Sequence, residues 1–149
     1  MQRVDMEELE SVDGITHRWR GELFTGVGYE LRPDGKLWDE IEYVEGKKQG
    51  VSRDWYPSGQ LKSETACHNG ANFGPHREWD ETGRLRREMQ IEYSFRTQEK
   101  QWDEAGHLVL DYTMPPEHPN YALLQKYRTL YGDDPREGKM SRKASEPER

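Results

Sequence analysis

Apolar side chains fall at even spacings through four stretches of the chain: Leu37, Ile41, Tyr43; Leu61, Thr65, Cys67; Leu85, Met89, Ile91; and Leu108, Leu110, Tyr112, Met114. A period of two is the mark of a strand with one apolar face. Each stretch follows a turn signal, "PDG", "PSG" or "TG" among them, whose glycine accepts the positive φ that side chains resist. "EG" at 45–46 and "NG" at 69–70 mark a second kind of turn between the strands. The pattern therefore predicts paired strands joined by alternating turns.

The pairs are copies of one another. "ELRPDGKLWDE" (30–40), "DWYPSGQLKSE" (54–64), "EWDETGRLRRE" (78–88) and "QWDEAGHLVLD" (101–111) share a skeleton, with Leu31 standing where later copies have Trp55, Trp79 and Trp102. The turn glycines Gly35, Gly59, Gly83 and Gly106 are 24, 24 and 23 residues apart, and Gly26, Gly50 and Gly74 keep the same step. Two residues after each turn glycine comes Leu37, Leu61, Leu85 or Leu108, and three further on an acid, Glu40, Glu64, Glu88 or Asp111. Features held in register over four copies are an internal repeat.

The predicted fold is mainly β: an elongated single-layer antiparallel meander of ~24-residue hairpin repeats, about seven to nine strands long. A lone hairpin is marginal in water, so each repeat leans on its neighbours. Stacked Trp55, Trp79 and Trp102 with the Leu column are expected to supply that contact, each buried Leu contributing roughly 1.5–3 kcal/mol. The repeat domain is read as 14–114, with a degenerate first copy in "GITHRWRGELFT" (14–25), after an acidic segment over 1–13. In "PNYALLQKYRTLY" (119–131) Leu123, Tyr127 and Leu130 share one side of a helix starting at Pro119 or Asn120. The segment 115–131 is thus read as a helix capping the sheet and hiding an unpaired edge, and 132–149 as a disordered tail.

Composition qualifies this picture. The chain is 32% hydrophobic and 34% charged, with a mean hydropathy of −1.21, values that alone suggest disorder. Five Trp and eight Tyr argue for a folded chain with a thin core. Net charge is −7, and residues 132–149 hold five basic and five acidic side chains, so the excess lies in 1–131. Such a sign disfavours nucleic acid and anionic lipid and attracts a basic protein, although acidic surfaces also serve solubility. There is no 18-residue apolar run, no apolar leader in "MQRVDMEELESVDG", and the single cysteine, Cys67, has no internal partner; a cytoplasmic setting is expected.

The unit "WYPSGQLKSE…NG…G", with the lead-in "GELFTGVGYELRPDGKL", resembles the MORN-variant repeat of the YwqK-type antitoxin family over roughly residues 14–114. The resemblance implies a bacterial immunity protein that binds and neutralises a polymorphic toxin. The third copy departs from the pattern: "WDETG" replaces the aromatic-Pro-Asn-Gly form and "EYSFRT" replaces the second Asn-Gly turn. The alternative is a non-enzymatic scaffold or a membrane-associated array like other MORN proteins, which needs a basic face that net −7 does not favour.

Residues for chemistry are sparse. His17, His68, His76, His107 and His118 are scattered, and Cys67 and His68, adjacent on a strand, point to opposite faces. Paired Cys-x-x-Cys, His-Glu-x-x-His and a phosphate loop are all missing, so neither catalysis nor a metal or cofactor is expected. Attention falls on the acid column (Glu40, Glu64, Glu88, Asp111) and a basic column (Arg53, Arg77, Lys100) two residues before each Trp. Either the columns pair across strands and solvate the sheet, or they grip a partner. Register decides. With each Trp opposite the following Leu the two columns lie on opposite faces, and one bulge at the turn reverses that. Eight strands ~4.8 Å apart and ~18 Å long offer a face of roughly 700 Å², near what one partner gives a stable interface. The expected contacts are Trp38, Glu40, Arg53, Asp54, Tyr56, Glu64, Arg77, Glu88 and Asp111, toward a basic toxin whose active site this face would cover. A homodimer through an exposed edge is left open.

Overall fold

The structure, a computed structural model, describes residues 1–132; the tail expected to be disordered lies, apart from Gly132, outside the described residues. In chain order the elements are β1 (Arg3–Asp5), a 3-10 turn (Met6–Glu8), β2 (Glu10–Ser11), β3 (His17–Trp19), β4 (Glu22–Leu23), β5 (Gly26–Leu31), β6 (Leu37–Val44) and β7 (Lys47–Trp55). They continue as β8 (Leu61–His68), β9 (Ala71–Trp79), β10 (Leu85–Glu92), β11 (Phe95–Trp102), β12 (Leu108–Thr113) and the helix α1 (Tyr121–Tyr131). Among the described residues the main sheet has nine strands in the order β1-β5-β6-β7-β8-β9-β10-β11-β12. From β5 onward it is an antiparallel meander, as the alternation predicts, and eight steps of ~4.8 Å carry it across roughly 38 Å.

Two kinds of turn alternate. On one rim the Gly35, Gly59, Gly83 and Gly106 turns repeat a single hydrogen-bond scheme, in which Gly59 N–H donates to Tyr56 O and Tyr56 N–H to Gln60 O. On the other rim the hairpins turn through two residues of positive φ: Glu45 and Gly46, Asn69 and Gly70, Tyr93 and Ser94. Two left-handed residues match the right-handed twist of the strands, and glycine at the second position normally removes the strain. The third hairpin keeps the geometry without the glycine, at φ 51° and 67°.

The register reconciles the alternatives left open above. Trp55 stands opposite Leu61, Trp79 opposite Leu85 and Trp102 opposite Leu108, and a bulge follows at once in every case. One extra residue, Trp38, Lys62, Arg86 or Val109, is inserted into β6, β8, β10 and β12. That residue advances the ladder by one, so Arg53 faces Glu64, Arg77 faces Glu88, and Lys100 faces Asp111.

The buried core sits at the two ends of the sheet. At the N-terminal end Val4, Phe24 and Tyr43 are buried with Leu9, Trp19 and Ile41 against them. The segment 14–25 supplies part of this cover from a separate three-stranded sheet, β2-β3-β4, and β1 joins the main sheet parallel to β5. At the other end Tyr93, Phe95, Met114, Leu124 and Tyr127 form the second cluster. Between them Trp55, Trp79 and Trp102 are half-buried, and the ring contacts of the described residues lie in the end clusters instead of in a Trp stack.

Two expectations for the helix are corrected. Leu123 and Tyr127 pack on the core as expected, joined by Leu124, while Leu130 is 56% exposed, because Tyr127 and Tyr131 both pack on Tyr93 and rotate the helix toward them. The helix closes over the β10–β11 tip, where Arg128 makes a two-pronged bond to Glu92 at 2.9 and 2.6 Å. Leu108, Val109, Leu110 and Asp111 of the terminal strand stay exposed, so among the described residues the edge is not hidden.

Candidate partner-binding face

Six of the nine predicted contact residues lie in one row. Cross-strand pairing connects Tyr29, Glu40, Arg53, Glu64, Arg77, Glu88, Lys100 and Asp111, one from each strand of the meander. Arg53 Nε donates to Glu64 Oε2 at 2.9 Å, and Arg77 Nε to Glu88 Oε2 at 2.8 Å. Glu40 lies 3.1 Å from Arg3 and 3.8 Å from Arg53. Acid and base thus alternate across the sheet. These side chains are partly exposed, so each pair contributes a few tenths to about 1 kcal/mol.

The next row, on the opposite face, holds Glu30, Asp39, Asp54, Ser63, Glu78, Arg87, Gln101 and Leu110. Three carboxylates stand side by side on β5, β6 and β7, where opposed like charges are destabilising. Burial, reinforced by Glu30 and Asp54, holds the Asp39 carboxyl above its ordinary range. Asp39 Oδ1 is buried with no hydrogen-bond partner among the described residues, while Asp54 accepts a hydrogen bond from Ser63 Oγ. Asp54, the predicted contact, therefore belongs to this acidic group and not to the ladder.

Further along this face a charged network closes around Glu99, which is 1% exposed. It accepts from Arg87 Nε at 2.7 Å, Arg96 Nη1 at 2.6 Å and Gln101 Nε2 at 2.5 Å, and Arg87 also reaches Glu78 at 3.0 Å. Burial raises the Glu99 pKa, but the bonds from Gln101, Arg87 and Arg96 outweigh it and leave the carboxyl below its usual range. Sequence reasoning missed Glu30, Asp39 and Glu99. A signal existed, since Asp39 keeps the even spacing from Leu37 that marks the apolar phase.

Trp38 and Tyr56 lie toward the rim of the long turns. Trp38 is 43% exposed with the Arg32 guanidinium 4.8 Å from its ring centre. Tyr56 donates its hydroxyl to Trp79 O at 2.8 Å and carries Lys62 over its ring at 5.6 Å. Tyr56, Lys62, Trp79, Arg86 and Trp102 line an open groove of about 320 Å³. A side chain added at Gly35, Gly59 or Gly106 would meet nothing within 4 Å, so among the described residues this rim is bare.

Cys67 and His68, adjacent in sequence, take separate partners. Cys67 is buried, its thiol pushed up by that burial, with Sγ directed to Thr65 O and Asn72 Oδ1 at 3.8 and 3.7 Å. His68 instead pairs with Gln49 at 2.8 Å. Among the described residues no group of three or more His, Cys, Asp or Glu is arranged to hold a metal ion, and no helix is long and apolar enough to cross a membrane.

Comparison with known proteins accords with the repeat. A family model described as a MORN repeat variant matches residues 48–66, which run through β7, the "PSG" turn and β8. Among solved structures, the glycosylation-associated protein (Gap123) complex of Streptococcus agalactiae aligns at a TM-score of 0.39 and 12% identity, over 96% of this chain and 26% of that one. The immunity protein YwqK of Bacillus subtilis (strain 168) is 50% identical over 111 residues, 74% of this chain and 72% of that protein. With half of the aligned residues identical over nearly three quarters of each protein, and a MORN-variant match within its own repeats, this chain belongs to the YwqK family of MORN-variant repeat proteins.

Proposed function

We propose that the protein is a non-enzymatic immunity protein, which binds a cognate bacterial toxin and neutralises it by covering the toxin's active site. The observation that carries this reading is the 50% identity to a protein named for immunity. The geometry supplies the means. A sheet one layer thick offers two broad faces and a bare rim, with aromatic anchors at Trp38 and Tyr56 and charged side chains fixed in rows.

The partner is expected to be basic. Ladder carboxylates have cross-strand bases, whereas Glu30, Asp39 and Asp54 face one another, so a cation placed among them relieves repulsion already present. Docking against them also adds steering, since charge complementarity raises association rates more than it raises affinity. Of the expected contacts, Asp54 makes the docking face together with Glu30 and Asp39, flanked by Trp38 and Tyr56 toward the rim, whereas Glu40, Arg53, Glu64, Arg77, Glu88 and Asp111 lie on the opposite face.

Co-expression with the toxin encoded beside the gene tests the reading. Growth should be rescued by the native chain and lost with Asp39→Lys/Asp54→Lys, provided that variant remains folded by circular dichroism. Continued killing in the presence of soluble, folded native protein would reject an immunity role.

A further inference from the structure

The two edges of the main sheet are finished differently. β1 has three residues, runs parallel to β5, buries Val4 to 3% exposure and passes at once into the 3-10 turn at Met6–Glu8. A short strand held in this way is how soluble proteins blunt an edge. β12 is neither short nor tucked under a turn, and its one irregularity is the bulge at Val109. It is six residues long, contains neither Pro nor Lys, and exposes Leu108, Val109 and Leu110 by 48%, 61% and 37%. A strand of that kind is a template for another strand.

The charge ladder says which strand fits. Glu64 lies between Arg53 and Arg77, Glu88 between Arg77 and Lys100, and Glu40 between Arg53 and the Arg3 guanidinium. Asp111 faces Lys100 on one side, and β12 ends the strand order on the other. The alternation therefore stops on an acid that no described residue faces from its outer side. A second copy of this chain fits poorly there. Antiparallel β12–β12 pairing that keeps faces matched puts Asp111 against Asp111, against Val109 with Leu110 on itself, or against Thr113 with Tyr112 on itself. The first opposes like charges and the other two leave the carboxylate without a base.

We propose that β12 is a docking edge for an extended basic segment of the partner protein, which adds as a tenth, antiparallel strand. Its recognition pattern follows from the pairing. A Lys or Arg faces Asp111, and the next two residues, apolar and strand-forming, face Leu110 and then the Leu108–Val109 bulge. Main-chain hydrogen bonds along β12 give affinity, while the base and the two apolar residues give selectivity. The proposal deepens the immunity reading, because it names how the toxin is held.

The test uses the full chain and amide hydrogen exchange. The probes are a blocked peptide, Thr-Thr-Arg-Val-Ile-Thr-Thr, and the same peptide with Glu in place of Arg. At saturation the Arg peptide should slow exchange at Leu108–Thr113 at least tenfold and leave β1 unchanged, and the Glu peptide should not. Asp111→Lys, checked for an unaltered melting curve, should reverse that preference. Equal or absent protection from the two peptides overturns the proposal, as does a concentration-dependent dimer in sedimentation that protects the same amides, since a second copy then owns the edge. In the toxin complex, freely exchanging β12 amides sink the docking edge while the immunity reading stands. An edge protected by the Arg peptide in a protein that fails to rescue growth does the reverse.

Discussion

Replacing Glu99 by Gln is the sharpest probe of the sheet's electrostatics. The native carboxylate is 1% exposed and accepts three bonds, two from guanidinium groups, at 2.5–2.7 Å. Gln is nearly isosteric but offers one oxygen and adds an N–H₂ that must point at a donor. At least one charge-assisted bond is lost, at about 1.5–3 kcal/mol. Arg87 and Arg96 have side chains 37% and 47% exposed, so water takes up part of what they lose. The net cost is set at about 2–3 kcal/mol, below the 3–5 that follows when a fully buried pair is broken. For a domain of this size that lowers Tm by roughly 6–12 °C.

The pH dependence gives the same prediction a sign. The Glu99 carboxyl lies below its ordinary value in the folded protein, so it stabilises the fold fully above the unfolded pKa, about 4.3. That stabilisation is lost as the pH falls through the folded value. Urea unfolding of both proteins from pH 7 to pH 3 should show a constant gap down to about pH 4.5, then a narrowing gap. Other carboxylates titrate in both proteins and cancel in the difference. A variant within about 0.5 kcal/mol of native at pH 7, or a gap that widens toward acid, would refute the reasoning.

Three further outcomes follow from the geometry. Ser94→Gly removes a side chain from a residue at φ 67° and should stabilise by about 1 kcal/mol in thermal melts. Gly50→Ala drives a methyl into the Glu42 carboxylate, which accepts from Val51 N–H at 2.6 Å, at a backbone φ of 103°. It should cost about 2 kcal/mol or more in urea unfolding. A double-mutant cycle on Arg77→Ala and Glu88→Ala should give a coupling of about 0.5–1 kcal/mol at low salt, falling severalfold in 1 M NaCl.

What was legible in the sequence was whatever repeats. The glycine step and the alternation give a meander of about seven to nine strands, its order and its turns, because each copy restates the same local chemistry. The bulge was not legible, and it decides which charges meet. Its inserted residue is Trp38, Lys62, Arg86 or Val109, four side chains with nothing in common, since a bulge is a count of residues and not a residue type. The covers at the two ends were hidden for another reason. β1 and β2–β4 are too short to show a period, and the inward side of α1 is set by Tyr93, a residue of a distant turn. Glu99 could be read only as a surface acid until the register brought Arg87 opposite Gln101 and beside it.

The missing glycine of the third hairpin shows how these facts connect. Holding Tyr93 and Ser94 in the left-handed region costs about 1–2 kcal/mol each. The first two tips avoid much of that with Gly46 and Gly70, and those glycines also let His17 O and Ile15 approach where a Cβ would come within 2.7 and 3.0 Å. At the third tip the side chain is wanted: Tyr93 is 1% exposed and packs on Phe73, Tyr127 and Tyr131, a burial that offsets the strain. Each hairpin tip is thus covered, two by the N-terminal segment and one by α1, by whichever residue its cover requires. The opposite rim has four glycine turns and, among the described residues, no cover, and the Trp38 and Tyr56 anchors lie beside them. A single-layer sheet that spends both of its covers on one rim keeps the other rim, and the β12 edge, accessible to a partner.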